Sequence, residues 1–373
     1  MNYHDPSQQQ QPTHHQPAFW YEEPGTPGWA KVVAGLIVLV GVVAAIAIYA
    51  SRESGSSDVA AKGAAPAARQ APPAHPATKH PATKTDANSL PPATKGTPGG
   101  ADASAAAGGG FLGPEADSSF QALASSIPAQ IGLVVQPLGG GAPRQFGDLP
   151  EGHAWSSIKV PILATLLREQ GESLGPEEEG WARSAITASD NEAAASLFGR
   201  IEESHGGLTG ASQAVEAVLH EAGSTSTVVA TAPPPPGAVS TYGQTEWSLL
   251  DAARFFTALG RCEVLGPAGT GLIESLMEEV ISEQRWGLGE GGFPSGWRVA
   301  MKGGWGPEAE AGGSYLVRQS GLVQDGNGGV AVAMIAMDDS GSYPAGAADL
   351  TRMAQWLAGE LHGLGPSYPS CTG

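Results

Sequence analysis

Lysine is nearly missing from the larger part of this 373-residue chain: residues 96–373 contain two, Lys159 and Lys302, beside ten arginines. Where only a surface positive charge is wanted the chain uses Arg. A Lys kept at these two positions points to a group that can lose its proton, which a buried lysine does readily and an arginine does not. Basic charge of any kind is scarce where a core could form. Residues 111–373 carry 30 acidic and 12 basic residues, and the seven of each sign before them cancel, so the formal net charge of −18 lies in the later part. That balance excludes a nucleic-acid groove. The acidity itself reads as a solvated surface that keeps the domain soluble and says little about substrate. Cysteine is scarcer still: Cys262 and Cys371 alone occur, and they would either close one disulfide in an extracytoplasmic compartment or stay as two free thiols.

Long apolar runs are also missing, with one exception. Val32 to Ala50 is uncharged throughout, and at ~1.5 Å per residue it approaches the ~30 Å hydrocarbon thickness of a bilayer. We expect one transmembrane helix within residues 31–50. A cleaved signal peptide would have a shorter apolar stretch and a basic region ahead of it, where only Lys31 stands. Residues 1–30 are rich in Gln, Pro and His without apolar period and are expected to be a disordered tail. Residues 51–114 are dominated by Ala, Pro, Thr, Gly and Lys, with the repeat His75-Pro-Ala-Thr-Lys79 and His80-Pro-Ala-Thr-Lys84. Such a segment cannot bury enough apolar surface to offset its ordering entropy, and it reads as a semi-extended linker. Arg52, Lys62 and Arg69 follow the span, so the positive-inside rule alone would place the rest of the chain in the cytoplasm. The chemistry below argues the opposite: a single-pass protein of the cell membrane with its folded domain extracytoplasmic.

That domain is expected over residues 115–365, with a short tail at 366–373. Residues 116–127 have helical character, 130–136 read as a buried strand, and Gly139 to Gly141 turn the chain back. Helical segments occupy most of 156–285. Three strand-like runs follow, 297–301, 314–323 and 329–336, then a closing helix from about Ala345 to Leu361. The order implies an α+β fold whose antiparallel sheet pairs the first and last strands around a helical middle.

Ser156 and Lys159 stand at i and i+3, which on a helix puts both side chains on one face. A hydroxyl is a poor nucleophile until an adjacent base takes its proton, and a desolvated Lys can do so. Ser157 is turned away by a further ~100°. Taken alone, Ser-x-x-Lys also fits a capped helix start with a solvated Lys159. Two more elements bear on it. Ser189-Asp190-Asn191 follows thirty residues after Lys159, and Lys302-Gly303-Gly304 ends a strand-like run. Ser-x-x-Lys, then Ser-Asp-Asn, then a Lys-Thr-Gly-like triplet resembles the signature of class A β-lactamases and penicillin-binding proteins. The likeness extends over roughly 120–362, through Trp155 to Leu163, Ala185 to Ala195, the Thr245 to Leu259 helix and Leu276 to Trp305.

The resemblance implies a β-lactamase/transpeptidase-like fold and a set of roles. Ser156 would attack a carbonyl and Lys159 carry its proton. Ser189 would relay a proton to the leaving nitrogen, and Asn191 would hold the substrate amide and Lys159. Asp190 would serve its turn, and Lys302 would tune the Ser189 hydroxyl. Gly303, Gly304 and Trp305 would line the substrate, with the backbone N–H groups of Ser156 and Trp305 as the oxyanion hole. No cofactor or metal is implied. The substrate would be a small-molecule or peptide acyl donor, β-lactam or peptidoglycan-like; nothing bears on oligomeric state.

Two features depart from the family pattern. Class A enzymes activate the deacylating water with an omega-loop glutamate, yet residues 222–245 hold neither Asp nor Glu and include the Pro233 to Pro236 run. Glu221 and Glu246 flank that stretch and both read as helical, Glu246 near an amino terminus. Gly303 stands where the family has a Thr or Ser whose hydroxyl binds the substrate carboxylate; Arg318 would either compensate or simply face solvent. The expectation is a membrane-anchored serine hydrolase that acylates on Ser156 and deacylates slowly. The alternative is a catalytically degenerate domain that binds a cell-envelope peptide or partner without chemistry.

Overall fold

The structure is a computed structural model and describes residues 110–235, 238–308, 313–338 and 340–364. The tail, the span at Val32 to Ala50, nearly all of the linker and Cys371 lie outside these residues. Among the described residues no helix is long and apolar enough to cross a membrane.

The elements run α1 (Ala116–Ala124), β1 (Ala129–Pro137), β2 (Arg144–Gly147), β3 (Glu151–His153), a 3-10 turn (Trp155–Ile158), α2 (Lys159–Glu169), α3 (Pro176–Thr187), α4 (Asn191–His205), α5 (Leu208–Glu221), β4 (Glu246–Ser248), α6 (Leu249–Gly260), α7 (Pro267–Glu278), β5 (Arg298–Pro307), β6 (Tyr315–Gln324), β7 (Gly329–Asp338) and α8 (Tyr343–Glu360). The main sheet has the order β2-β1-β7-β6-β5. All its pairings are antiparallel, and β1 lies against β7 from Ala129↔Asp338 to Pro137↔Val330. First and last strands therefore meet as their sequences suggest. The ends of the domain meet as well. Leu112 bridges Leu361, and His362 N–H donates to Phe111 O at 3.1 Å, so the folded part already includes residues just ahead of Glu115.

Strands β6 and β7 are buried on both faces because both faces are covered. Leu316, Leu322, Ala331, Ala333 and Ile335 face the helical half. Val317, Val323, Val332 and Met334 face α8 and α1, where Leu350, Met353 and Phe120 wait. Helix α2 is buried without a break from Lys159 to Leu167, as an all-round apolar helix must be at the centre of a domain. Pro161 is tolerated because it falls in the first turn.

The structure corrects two readings and keeps Glu221 in its helix. Lys302, Gly303, Gly304 and Trp305 lie inside β5 and not at its end. Glu246 belongs to β4, paired with His153. The helix begins three residues later, with the Ser248 side chain accepting from Asp251 N–H as its cap. Glu221 closes α5 and ion-pairs with Arg168. Strands β2, β3 and β4 went unread because they are four residues or fewer, too short to show alternation.

Candidate active site

Three local structures converge on one cleft. The first is the 3-10 turn Trp155–Ile158, which feeds directly into α2 at Lys159. In a 3-10 turn residues i and i+3 eclipse, so Ser156 and Lys159 share a side as the spacing suggests. Trp155 adopts φ +45°, a conformation a bulky L-residue keeps only when its surroundings enforce it. The Ser157 hydroxyl is buried and donates to Ala154 O at 2.5 Å, which occupies it.

The second is the turn between α3 and α4. Ser189 sits at φ +59°, and Asp190 caps α4 by accepting from Ala193 N–H at 2.7 Å. That turn presents its oxygens to the Lys159 amine. Lys159 Nζ donates to Ser189 O at 2.6 Å, to Asn191 Oδ1 at 2.8 Å and to Asp190 O at 3.1 Å, with Ser189 Oγ at 3.5 Å. The reading of Lys159 as a solvated residue is excluded: it is 2% exposed. Burial pushes its pKa down from 10.5 to about 7, against the opposing pull of Asp190. Ser156 Oγ makes no hydrogen bond to a described residue, so its hydroxyl is not yet engaged with Lys159; such contacts commonly close only when substrate binds.

The third is β5. Lys302 Nζ donates to Ser189 Oγ at 2.8 Å and to Gly303 O at 3.0 Å. Its pKa is driven well down, by complete burial first and by the Lys159 charge second. The glycines of this strand are dictated by close approaches on its two faces. A Cβ on Gly304 would stand 2.7 Å from Ala154 O and 2.8 Å from Ser156 N, and one on Gly306 would overlap the Trp155 ring. A Cβ on Gly303 would stand 2.7 Å from the Trp286 ring on the opposite face. Trp286 in turn packs edge-on against Trp305, 6.0 Å between ring centroids. The missing hydroxyl at 303 is thus replaced by an indole.

The resulting cleft, about 220 Å³, is lined by Trp155, Ser156, Ser189, Asn191, Val239, Ser240, Trp305, Gly306, Pro307 and Tyr315. Among the described residues, no carboxylate and no histidine lines it. The loop after α5 contributes Val239 and Ser240 where a carboxylate would be needed, consistent with the absence of Asp and Glu from residues 222–245. That loop is fixed near its start by Asp251, whose carboxylate accepts from Ser226 N–H, Ser226 Oγ and Thr227 Oγ1. It is fixed at its end by Tyr242, packed on Phe198 with its phenol pKa raised by burial to about 12. Among the described residues no group of His, Cys, Asp and Glu is arranged to hold a metal ion.

Arg318 neither reaches this cleft as a carboxylate receptor nor faces solvent. It is wholly buried, donates through Nη1 to Gly152 O, His153 O and Trp247 O, and lies over the Trp247 ring. Burial lowers even its pKa, to about 10. Its work is to hold the β3 and β4 backbones beneath the Ser156 turn. No sequence pattern singles out His153, Glu308 or Trp286. Glu308 meets His153 and Trp155 across 155 and 153 residues of chain and Trp286 meets Gly303 and Trp305 only in the fold, although His153 stands only three residues before Ser156.

Residues 179–360 match the sequence model of the β-lactamase enzyme family. The match takes in Ser189, Asn191 and Lys302 and begins beyond Ser156 and Lys159. Among solved structures the chain is similar to PBP-A, at 21% identity and a TM-score of 0.51, covering 66% of this chain and 95% of that one. A variant of PBP-A seen as an acyl-enzyme complex with penicillin G gives 20% identity, a TM-score of 0.51 and the same coverage. The chromosome-encoded β-lactamase of Vibrio parahaemolyticus gives 17% identity and a TM-score of 0.51, covering 65% of this chain and 97% of that one. No curated protein sequence matches. The likeness to the β-lactamase and penicillin-binding-protein family of serine hydrolases, carried by three short motifs, thus extends to the fold of the whole domain.

Proposed function

We propose that this domain is a serine hydrolase that forms an acyl-enzyme on Ser156 with an amide or ester and releases the acyl group slowly. One observation carries the reading. Lys159, one turn from Ser156 in the same cleft, is buried among three oxygens with a pKa of about 7, so near neutral pH it can take a hydroxyl proton. Ser156 Oγ attacks the carbonyl carbon while its proton passes to Lys159 Nζ. The negative oxygen is received by the backbone N–H groups of Ser156 and Trp305. Collapse expels the leaving nitrogen or oxygen, protonated through Ser189, whose hydroxyl accepts from Lys302. Asn191 keeps Lys159 aimed and presents its amide to the acyl side of the substrate.

Deacylation needs a water with its own base, and the loop supplies Val239 and Ser240 instead. The acyl-enzyme is therefore long-lived. With no hydroxyl at 303 and Arg318 engaged elsewhere, a carboxylate beside the scissile bond finds no dedicated receptor, so neutral acyl donors are favoured over penicillin-like acids. The same two features favour a second reading, a domain that binds a cell-envelope peptide without chemistry. The uncharged run at Val32 to Ala50 supports a membrane tether, and the acyl-transfer reading supports a domain outside the cell, where β-lactams and peptidoglycan peptides lie.

The deciding experiment treats the full-length protein with a fluorescent penicillin and a serine-directed phosphonate, beside Ser156→Ala and Lys159→Ala. Labelling of the wild type that both substitutions abolish is expected. A wild-type protein labelled by neither probe would leave the binding reading standing. Protease protection in intact cells tests the placement, and a domain that survives digestion until the membrane is opened would refute it.

A further inference from the structure

Beside the cleft lies a cluster that the steps above do not use. His153 Nδ1 is 2.6 Å from Glu308 Oε2, and His153 Nε2 is 3.0 Å from Glu246 Oε1. The other oxygen of Glu308 accepts from Trp155 Nε1 at 3.1 Å. Ionised carboxylates only accept, so when both are ionised a ring whose two nitrogens face their oxygens bonds to both only as an imidazolium, with a proton on each nitrogen. Glu308 follows the last residue of β5, and Trp155 immediately precedes Ser156. The cluster therefore ties the Ser156 turn to the far end of the strand that carries Lys302 and Trp305.

We propose that His153 and Glu308 are positioning residues for acylation: the His153 imidazolium fixes Glu308, Glu308 fixes the Trp155 indole, and the indole holds the Ser156 turn at its working distance from β5. The proposal rests on the Ser156 reading for its kinetic consequence, although the clamp itself is a matter of geometry. Trp155 is held at φ +45° with its ring over Gly306, a conformation that needs such a restraint. The spacing between the turn and the strand is also the spacing between the two oxyanion donors, so a small shift in it is felt at the reacting carbonyl.

Among the described residues, Glu308 and Glu246 face the His153 ring directly. Burial raises the Glu246 pKa, His153 and Arg318 on β6 pull it down, and Glu308 and Glu151 at the start of β3 push it up. When the ring loses a proton, one nitrogen turns a lone pair toward a carboxylate, and one of the two bonds becomes a repulsion. The clamp loosens as pH rises.

The test follows Ser156 labelling by the phosphonate probe from pH 6 to 10 in the full-length wild type, His153→Gln and Glu308→Ala, separating the maximal rate from the half-saturating concentration. In parallel, the Trp155 indole N–H resonance, assigned with Trp155→Phe, is titrated in ¹⁵N-indole spectra. In the wild type the maximal rate rises as Lys159 loses its proton and then falls on an alkaline limb, and the indole resonance moves along that limb. In His153→Gln the maximal rate is lower by about tenfold or more, half-saturation changes little, and neither the alkaline limb nor the indole shift remains. Glu308→Ala shows the same rate loss. A His153→Gln protein with the wild-type rate and alkaline limb would overturn the proposal, and so would a wild-type indole resonance that ignores pH. If the wild type is not labelled at all, it is the Ser156 reading that fails, and the indole titration decides on the clamp by itself.

Discussion

Replacing Lys159 by Met changes how stability depends on pH, and the structure fixes both sign and size. In the unfolded chain the ammonium holds its proton up to 10.5, and in the folded domain burial brings this to about 7. At ~1.4 kcal/mol per pKa unit the charged form costs the fold roughly 5 kcal/mol. Below pH 7 both states are charged, and the folded state bears that cost in full. Between about 7 and 10.5 the unfolded chain binds more protons than the folded one, so wild-type stability climbs with pH at ~1.4 kcal/mol per unit. Above 10.5 both states are neutral and the gain is complete. Lys159→Met has no such term. It leaves Ser189 O, Asp190 O and Asn191 Oδ1 without their Lys159 donor, at ~1–3 kcal/mol for each left unpaired, but that loss is independent of pH and drops out of the slope. Lys302 is present in both proteins, and its pKa stays depressed by burial in both, with only the smaller push from the Lys159 charge lost in the variant. Urea unfolding followed by tryptophan fluorescence from pH 6 to 9.5 gives the two stabilities, and their difference should be level below pH 7 and then rise in the wild type's favour. A difference that stays level to pH 9.5 would mean that Lys159 remains an ammonium at neutral pH, and the base assigned to Ser156 would be lost.

Two other substitutions probe the departures from the family pattern. Val239, which lines the cleft and is 66% exposed, offers a place for the missing base: Val239→Glu should shorten the lifetime of the Ser156 adduct by about tenfold or more, read as release of fluorophore after labelling. An unchanged lifetime would show that absence of a carboxylate is not what slows release. Restoring the family hydroxyl with Gly303→Thr should cost ~1–3 kcal/mol through overpacking, because its Cβ arrives 2.7 Å from Trp286. A thermal midpoint equal to the wild type would refute that account of Gly303, and the double variant with Trp286→Leu should recover part of the loss.

Much of the fold was legible because the long elements are periodic or uniformly apolar. β1, β6, β7 and α8 fall within a few residues of their sequence readings. The motif residues were legible as well: Ser156 and Lys159 by helical spacing, Ser189 to Asn191 and Lys302 by order. The roles of Arg318 and Glu246 were not. Arg318 interrupts a strand-like run as a solvent-facing charge would, and only the three carbonyls around its Nη1 reveal an internal brace. Glu246 stands just before a helical pattern, and three residues of β4 were enough to move it onto a sheet beside His153.

The sequence by itself determined the chemistry on offer: two lysines where the chain elsewhere uses arginine, a serine one turn ahead of the first, and a loop without a carboxylate. Tertiary structure alone decided what those lysines are. Desolvation depends on everything packed around an ammonium, so Lys159 reaches a pKa of about 7 only because α2 runs through the centre of the domain and the Ser189 turn closes over it. The glycines of β5 are decided in the same way, since their close neighbours, Trp286 and the turn of Trp155 and Ser156, are remote in sequence and meet the strand only when the chain folds.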